Sequence, residues 1–181
     1  NNLNSESDIV TLKYNSNGDL LWSKSFDYHN NIDIGQLILL DNSGNPYVSG
    51  FINGVPGNPS DWIIIKYDKN GTEIWSRSYA GSYNGEDLIK SFTFDIKDDI
   101  YLLWKSLNVN NDDVHLSKYD SSGSLLFTTR YGGSYLDYPT AISVDNSQDI
   151  IISGFTNSFN VNFDMFIVKY SQGLNQNFES I

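Results

Sequence analysis

The 181 residues are 39% hydrophobic and 14% aromatic, with 12 Tyr, 10 Phe and 4 Trp, a composition too apolar for a disordered chain and suited to pleated strands. The 22 acidic and 11 basic side chains leave a net charge of −11, the wrong sign for gripping nucleic acid or an anionic membrane. Cysteine is absent, which excludes disulfides, thiolate metal sites and cysteine nucleophiles, and no run of residues is long and apolar enough to insert into a membrane.

In chain order, the first element is an Asp followed by mostly apolar residues and Lys-Tyr, Asp8 to Tyr14; an Asn17-Gly18 turn leads into Trp22 to Phe26. Next, Asp33 and Asp41 enclose Leu37 to Leu40, a turn at Asn42 to Asn45 follows, and Tyr47 to Phe51 forms another strand. Asp61 to Tyr67 repeats the first element, and Asn70-Gly71 leads into Trp75 to Tyr79. The cycle then recurs as Ile89 to Phe94 between Asp87 and Asp95, Tyr101 to Lys105, Asp113 to Tyr119 and, after Ser122-Gly123, a strand with Phe127. It begins again with Ala141 to Val144 between Asp137 and Asp145, Ile150 to Phe155 and Asp164 to Tyr170, with a weak last strand near Phe178.

The anchoring Asp residues at 8, 61, 113 and 164 lie 53, 52 and 51 positions apart, so the unit is about fifty residues long. No segment shows apolar spacing of three and four over helical length, and the turns carry Gly where a hairpin needs a left-handed residue. Each unit therefore predicts four short antiparallel strands, A to D. Continuous apolar runs such as Trp62 to Ile65, Leu37 to Leu40, Ile150 to Ile152 and Phe166 to Val168 predict sheets buried on both faces, whereas Trp22 to Phe26 and Trp75 to Tyr79 mix polar and aromatic residues like a wet outer strand D. The expected architecture is an all-β propeller of about three and a half blades: a half blade at 8–26 and blades at 33–79, 87–131 and 137–181.

These motifs resemble the prokaryotic β-propeller repeat known as SBBP, which occurs in secreted and cell-surface proteins. The likeness rests on Gly132-Gly133 and Asp137 before strand A, the Asp41 to Asn45 turn, Gly50 and Gly154 in strand B, and the four Lys-Tyr anchors. The sequence departs from it with Trp104 in place of the strand B glycine, Ala80 for the first Gly of the pair, and Asp27-Tyr28 for the whole pair. The resemblance implies display or interaction modules without a common catalytic site.

A stack ended early exposes two blade faces. At about 500 Å² of apolar surface per face and about 25 cal/mol per Å², each end costs up to about 12 kcal/mol. The chain is thus expected to be an excerpt of a longer propeller, or to complete its ring with further blades through self-association or another subunit. Asn1 opens the chain without a methionine or signal-like segment, and the abundance of Asn, Ser, Asp and Gly suits an exported protein.

The B-to-C and D-to-A loops should share one edge, the place to seek a ligand. Asp33, Asp87 and Asp137 stand there, either as an acidic rim for Ca²⁺ or, the preferred reading, as caps of loop amides; no cofactor and no metal site is expected. Trp104, with Tyr83 and Tyr135, is the candidate aromatic binding group for a sugar ring or protein partner, against a packing role for Trp104. Lys13, Lys66, Lys118 and Lys169 recur at strand ends, where solvated ion pairs are expected. His29 and His115 occupy unrelated positions and no catalytic constellation is visible. The expected function is a non-enzymatic secreted or surface scaffold for protein or glycan, the alternatives being a fragment of a carbohydrate-active enzyme or a structural subunit of an extracellular filament or coat.

Overall fold

A computed structural model describes residues 7–29, 31–53, 60–79, 85–107, 112–133, 135–157 and 162–171. Alternating or continuous apolar residues between turn signals form thirteen strands, with no helix among the described residues. The strands are β1 (Ile9–Tyr14), β2 (Leu20–Phe26), β3 (Asp33–Leu40), β4 (Pro46–Asn53), β5 (Ser60–Tyr67), β6 (Glu73–Tyr79), β7 (Asp87–Phe94), β8 (Ile100–Leu107), β9 (Asp112–Tyr119), β10 (Leu125–Tyr131), β11 (Asp137–Val144), β12 (Ile150–Thr156) and β13 (Asp164–Tyr170). They make four antiparallel sheets in sequence order, β1-β2, β3 to β6, β7 to β10 and β11 to β13. These follow the expected repeats; the strand expected near Phe178 lies outside the described residues.

Six hairpins share one local design. Asn15, Asp41, Asp68, Asp95, Asp120 and Asp145 each accept, on one side-chain oxygen, the amides two and four residues on, as from Ser43 and Asn45 at Asp41. Their backbone carbonyls accept a third amide, from the residue three on. That residue is left-handed in all six, as Gly18, Gly44, Gly71 and Gly123 or as Asp98 and Gln148. An Asp or Asn at the first position and a small or polar residue at the fourth thus define the turn within five residues.

The repeated Lys of the strand C anchor closes over the same hairpin. Lys66 stands 3.6 Å from Asp41, Lys118 3.0 Å from both Asp95 and Asp99, and Lys169 2.7 Å from Asp145 and 3.1 Å from Asp149. The pairs at Lys66 and Lys118 are largely buried, unlike the solvated pairs the sequence suggests, while Lys169 is half exposed. Burial alone would lower the Lys118 pKa, but hydrogen bonding to Tyr101, Asp99 and Asp95 outweighs it and raises the pKa.

The chain divides into two compact units, Asn1–Ala80 and Gly81–Ile181. In the first, Ile9, Phe26 and Tyr28 pack on Val48, Ile52, Ile63, Ile65 and Tyr67. Trp22 donates from Nε1 to the Lys69 carbonyl at 3.1 Å and crosses Gly71, where a Cβ would lie 2.8 Å from its ring. In the second, Tyr101, Leu103, Val114 and Leu116 pack against Ile142, Ile150, Ile152 and Phe166.

The expectation of burial on both faces is met by β5, buried from Asp61 to Tyr67, and fails for two other apolar runs. β3 is an edge strand, paired only with β4, and exposes Ile38 and Leu40. β13 buries Phe166 but exposes Met165 and Ile167, because no described residue covers that face of its sheet. The outer strands β2, β6 and β10 are mostly exposed, as their mixed composition predicts.

Candidate functional site

Antiparallel order places the six hairpins at one edge of their sheets and the connections from β4 to β5, β8 to β9, β12 to β13, β2 to β3 and β10 to β11 at the other. Of these longer connections, the described residues resolve most of the pair around β11. Leu136 donates its amide to Asn157 Oδ1 at 2.8 Å and accepts the Asn157 amide at 3.1 Å, so the loops before β11 and after β12 are tied together.

Asp33, Asp87 and Asp137 each begin the first strand of a sheet and are about 1% exposed. Asp33 accepts the Tyr28 amide, and Asp137 Oδ2 accepts the Gly133 amide at 2.9 Å. Asp113 points at the same place as Asp137: a Cβ on Gly132 would lie 2.8 Å from Asp137 Oδ2 and 2.9 Å from Asp113 Oδ1, which is why only glycine fits there. Asp113 Oδ2 meets Arg130 Nε at 3.1 Å. Asp137 therefore holds the loop before β11 and Asp33 the loop before β3, and none of the four carboxylates presents itself to solvent. Among the described residues no three His, Asp or Glu groups are grouped to hold a metal ion.

Trp104 lies in the middle of β8, not at a strand end as its sequence position suggests, and is 2% exposed. A bulge between Ile89 and Ser91 sets the register of β7 against β8, where Trp104 lies opposite Ile89. Trp104 pairs with His115 across β8 and β9, and the two rings stack at 4.1 Å with 14° between their planes. Its Nε1 donates to Ser117 Oγ at 2.9 Å, and Ser117 Oγ lies 2.9 Å from Thr128 Oγ1. Burial, reinforced by the Arg130 charge, pulls the His115 pKa down to about 4, so the ring is neutral at pH 7. The glycines at the corresponding positions face a different neighbour: a Cβ on Gly154 would lie 2.1 Å from the Tyr138 carbonyl and 2.5 Å from the Phe166 ring. Volume passes from strand B to strand C between repeats, Trp beside His in one and Gly beneath Phe in the other.

Tyr135 is 60% exposed on the loop that Asp137 and Asn157 root. Tyr83 lies outside the described residues. An aromatic group that the repeat pattern did not single out stands beside this loop: Tyr138, Phe155 and Phe163, with ring centroids 5.1 to 5.9 Å apart. Lys105 Nζ sits 5.4 Å from the centre of the Tyr138 ring. Phe155 and Phe163 are exposed and belong to the two ends of the β12 to β13 connection. His29 is exposed in the connection from β2 to β3, edge-on to Tyr28, with a left-handed backbone.

The chain is similar to the protein named regulatory protein FlaEY from Caulobacter vibrioides, at 27% identity over 81% of this chain. The match spans 18% of that protein's length. No family model matches the sequence.

Proposed function

We propose that the chain is a run of β-propeller blades, one half blade and three further ones, serving as a non-enzymatic recognition scaffold of a secreted or cell-surface protein. Its ligand is protein or glycan, held at the edge carrying the longer connections. The observation that carries this reading is Tyr135: a large exposed ring on a loop tied at both sides, by Gly133 to Asp137 and by Leu136 to Asn157. An aromatic face that is already ordered stacks on a sugar ring or a partner's side chain with little entropy left to lose. Phe163, on the adjoining connection, is also exposed and lies against Tyr138 and Phe155. Four sheets built on one turn design support the blade assignment.

The test is binding of the chain to printed arrays of glycans and of surface-protein peptides, followed by titration of the strongest hits. Tyr135→Ala should weaken a true hit at least about tenfold, and Phe163→Ala should weaken it less, with the circular dichroism spectrum unchanged. Full binding by the double variant, or an array without a hit, refutes the assignment of this edge.

A further inference from the structure

Two of the four Asn-Gly dipeptides in the sequence, Asn17-Gly18 and Asn70-Gly71, lie wholly within the described residues. They hold the same place in two hairpins of one design, as third and fourth residues of the turns that join β1 to β2 and β5 to β6. Such a dipeptide is chemically unstable, because glycine has no side chain to keep its nitrogen away from the carbonyl carbon of the preceding side chain. The reaction is a deamidation. The Gly nitrogen attacks the Asn side-chain carbonyl carbon, the bond from that carbon to the side-chain nitrogen breaks, and ammonia leaves with the proton that the Gly nitrogen loses. Water then opens the resulting succinimide at either carbonyl, leaving an aspartyl or an isoaspartyl residue.

In the closed turns the attacking nitrogen is occupied: Gly18 N–H donates to the Asn15 carbonyl at 3.1 Å and Gly71 N–H to the Asp68 carbonyl at 3.0 Å. Attack therefore waits for the turn to open, and its rate follows the population of the opened turn. The two turns differ in what opposes opening. Asn17 and Gly18 are exposed, and a Cβ on Gly18 would meet nothing within 4 Å. Gly71 is buried under the Trp22 ring, and the Lys69 carbonyl, one residue before Asn70, accepts both Lys13 Nζ at 2.8 Å and Trp22 Nε1 at 3.1 Å. The second turn is also capped by a carboxylate, Asp68, where the first has the neutral amide of Asn15, and hydrogen bonds to a charged acceptor are the stronger.

We propose that Asn17 is a site of spontaneous deamidation in the folded chain, and that Asn70, the same motif in the same kind of turn, is protected by the clamp that β1 and β2 place over it. An isoaspartyl residue at position 17 adds a carbon to the main chain between the two amides that Asn15 Oδ1 accepts, those of Asn17 and Asp19. The turn cannot then close as before. The conversion is a one-way mark of the molecule's age that loosens the hairpin of β1 and β2.

Incubation of the 181-residue chain at mildly alkaline pH over several weeks tests this, with mass-spectrometric peptide mapping to locate the one-dalton gain and to separate aspartyl from isoaspartyl products. Asn17 should convert at least about tenfold faster than Asn70, with isoaspartyl the major product. In the urea-unfolded chain the two rates should agree within about twofold, because no turn protects either site. Lys13→Met combined with Trp22→Phe removes both donors to the Lys69 carbonyl and should speed conversion of Asn70 at least about threefold. Comparable rates at the two sites in the folded chain overturn the proposal. So does an equally strong preference for Asn17 in the unfolded chain, which would trace it to sequence neighbours, or an unchanged Asn70 rate in the double variant. Circular dichroism checks folding, with Lys13→Met alone as the replacement should the double variant fail to fold.

Discussion

Replacing Lys118 with Met removes the cation from a pair of carboxylates that the fold has already taken out of water. Asp95 keeps its two backbone donors, Lys97 and Asp99, on Oδ1, but its Oδ2 loses the 3.0 Å partner. The Lys118 side chain is 13% exposed and that of Asp95 3%. Breaking a fully buried pair costs about 3 to 5 kcal/mol, and with the residual exposure of Lys118 the expected loss is about 3 kcal/mol. At a urea dependence of about 2 kcal/mol per M, the midpoint of unfolding should fall by about 1.5 M. Lys169 occupies the same place in the next repeat, at similar distances from Asp145 and Asp149, but is 51% exposed. Lys169→Met should therefore leave the midpoint within error of wild type. Adding Asp95→Asn to Lys118→Met should recover about half of the loss, because the buried charge left behind disappears. Equal effects of Lys118→Met and Lys169→Met, followed by circular dichroism in urea, would refute burial as what sets the strength of these pairs.

Two further outcomes follow from local geometry. His115 takes up its proton near pH 6.5 in the unfolded chain but only at about 4 in the fold, so its contribution is intact above about pH 6.5 and is lost as the pH falls toward 4. The loss reaches at most about 3 kcal/mol, and urea midpoints at pH 7 and pH 4.5 should show His115→Phe flattening the difference while preserving a ring against Trp104. Gly18→Ala and Gly71→Ala both force alanine into a left-handed turn, with φ of 86° and 83°, but the new methyl meets open space at Gly18 and the Trp22 ring at Gly71. The first should cost about 1 kcal/mol and the second about 1 to 2 kcal/mol more, with a changed Trp22 emission, measured by the same denaturation.

The turns were readable because each is a contract among five consecutive residues: Asp41, Gly44 and Asn45 are sufficient to indicate the hairpin that joins β3 to β4. The strand anchors were readable for a related reason, since Lys66 and Lys118 repeat wherever a hairpin Asp awaits them. Exposure was not, because Ile38, Met165 and Ile167 are as apolar as Ile63 and Ile65, and only the presence or absence of a neighbouring sheet separates them. The partner of Trp104 depends on the register of β8 against β9, which pairs it with His115, and a one-residue slip would put a different side chain beneath the ring. The ring group of Tyr138, Phe155 and Phe163 draws on two strands and a connection at unrelated repeat positions, so no periodicity announces it.

Self-sufficient hairpins also have an evolutionary consequence. Because the carboxylate of Asp41 or Asp145 meets its amide partners within four residues, a duplicated stretch of about fifty residues arrives with its corners already formed. A lineage carrying this module can lengthen or shorten its array by whole repeats, with selection left to act on the flat faces through which neighbours must fit.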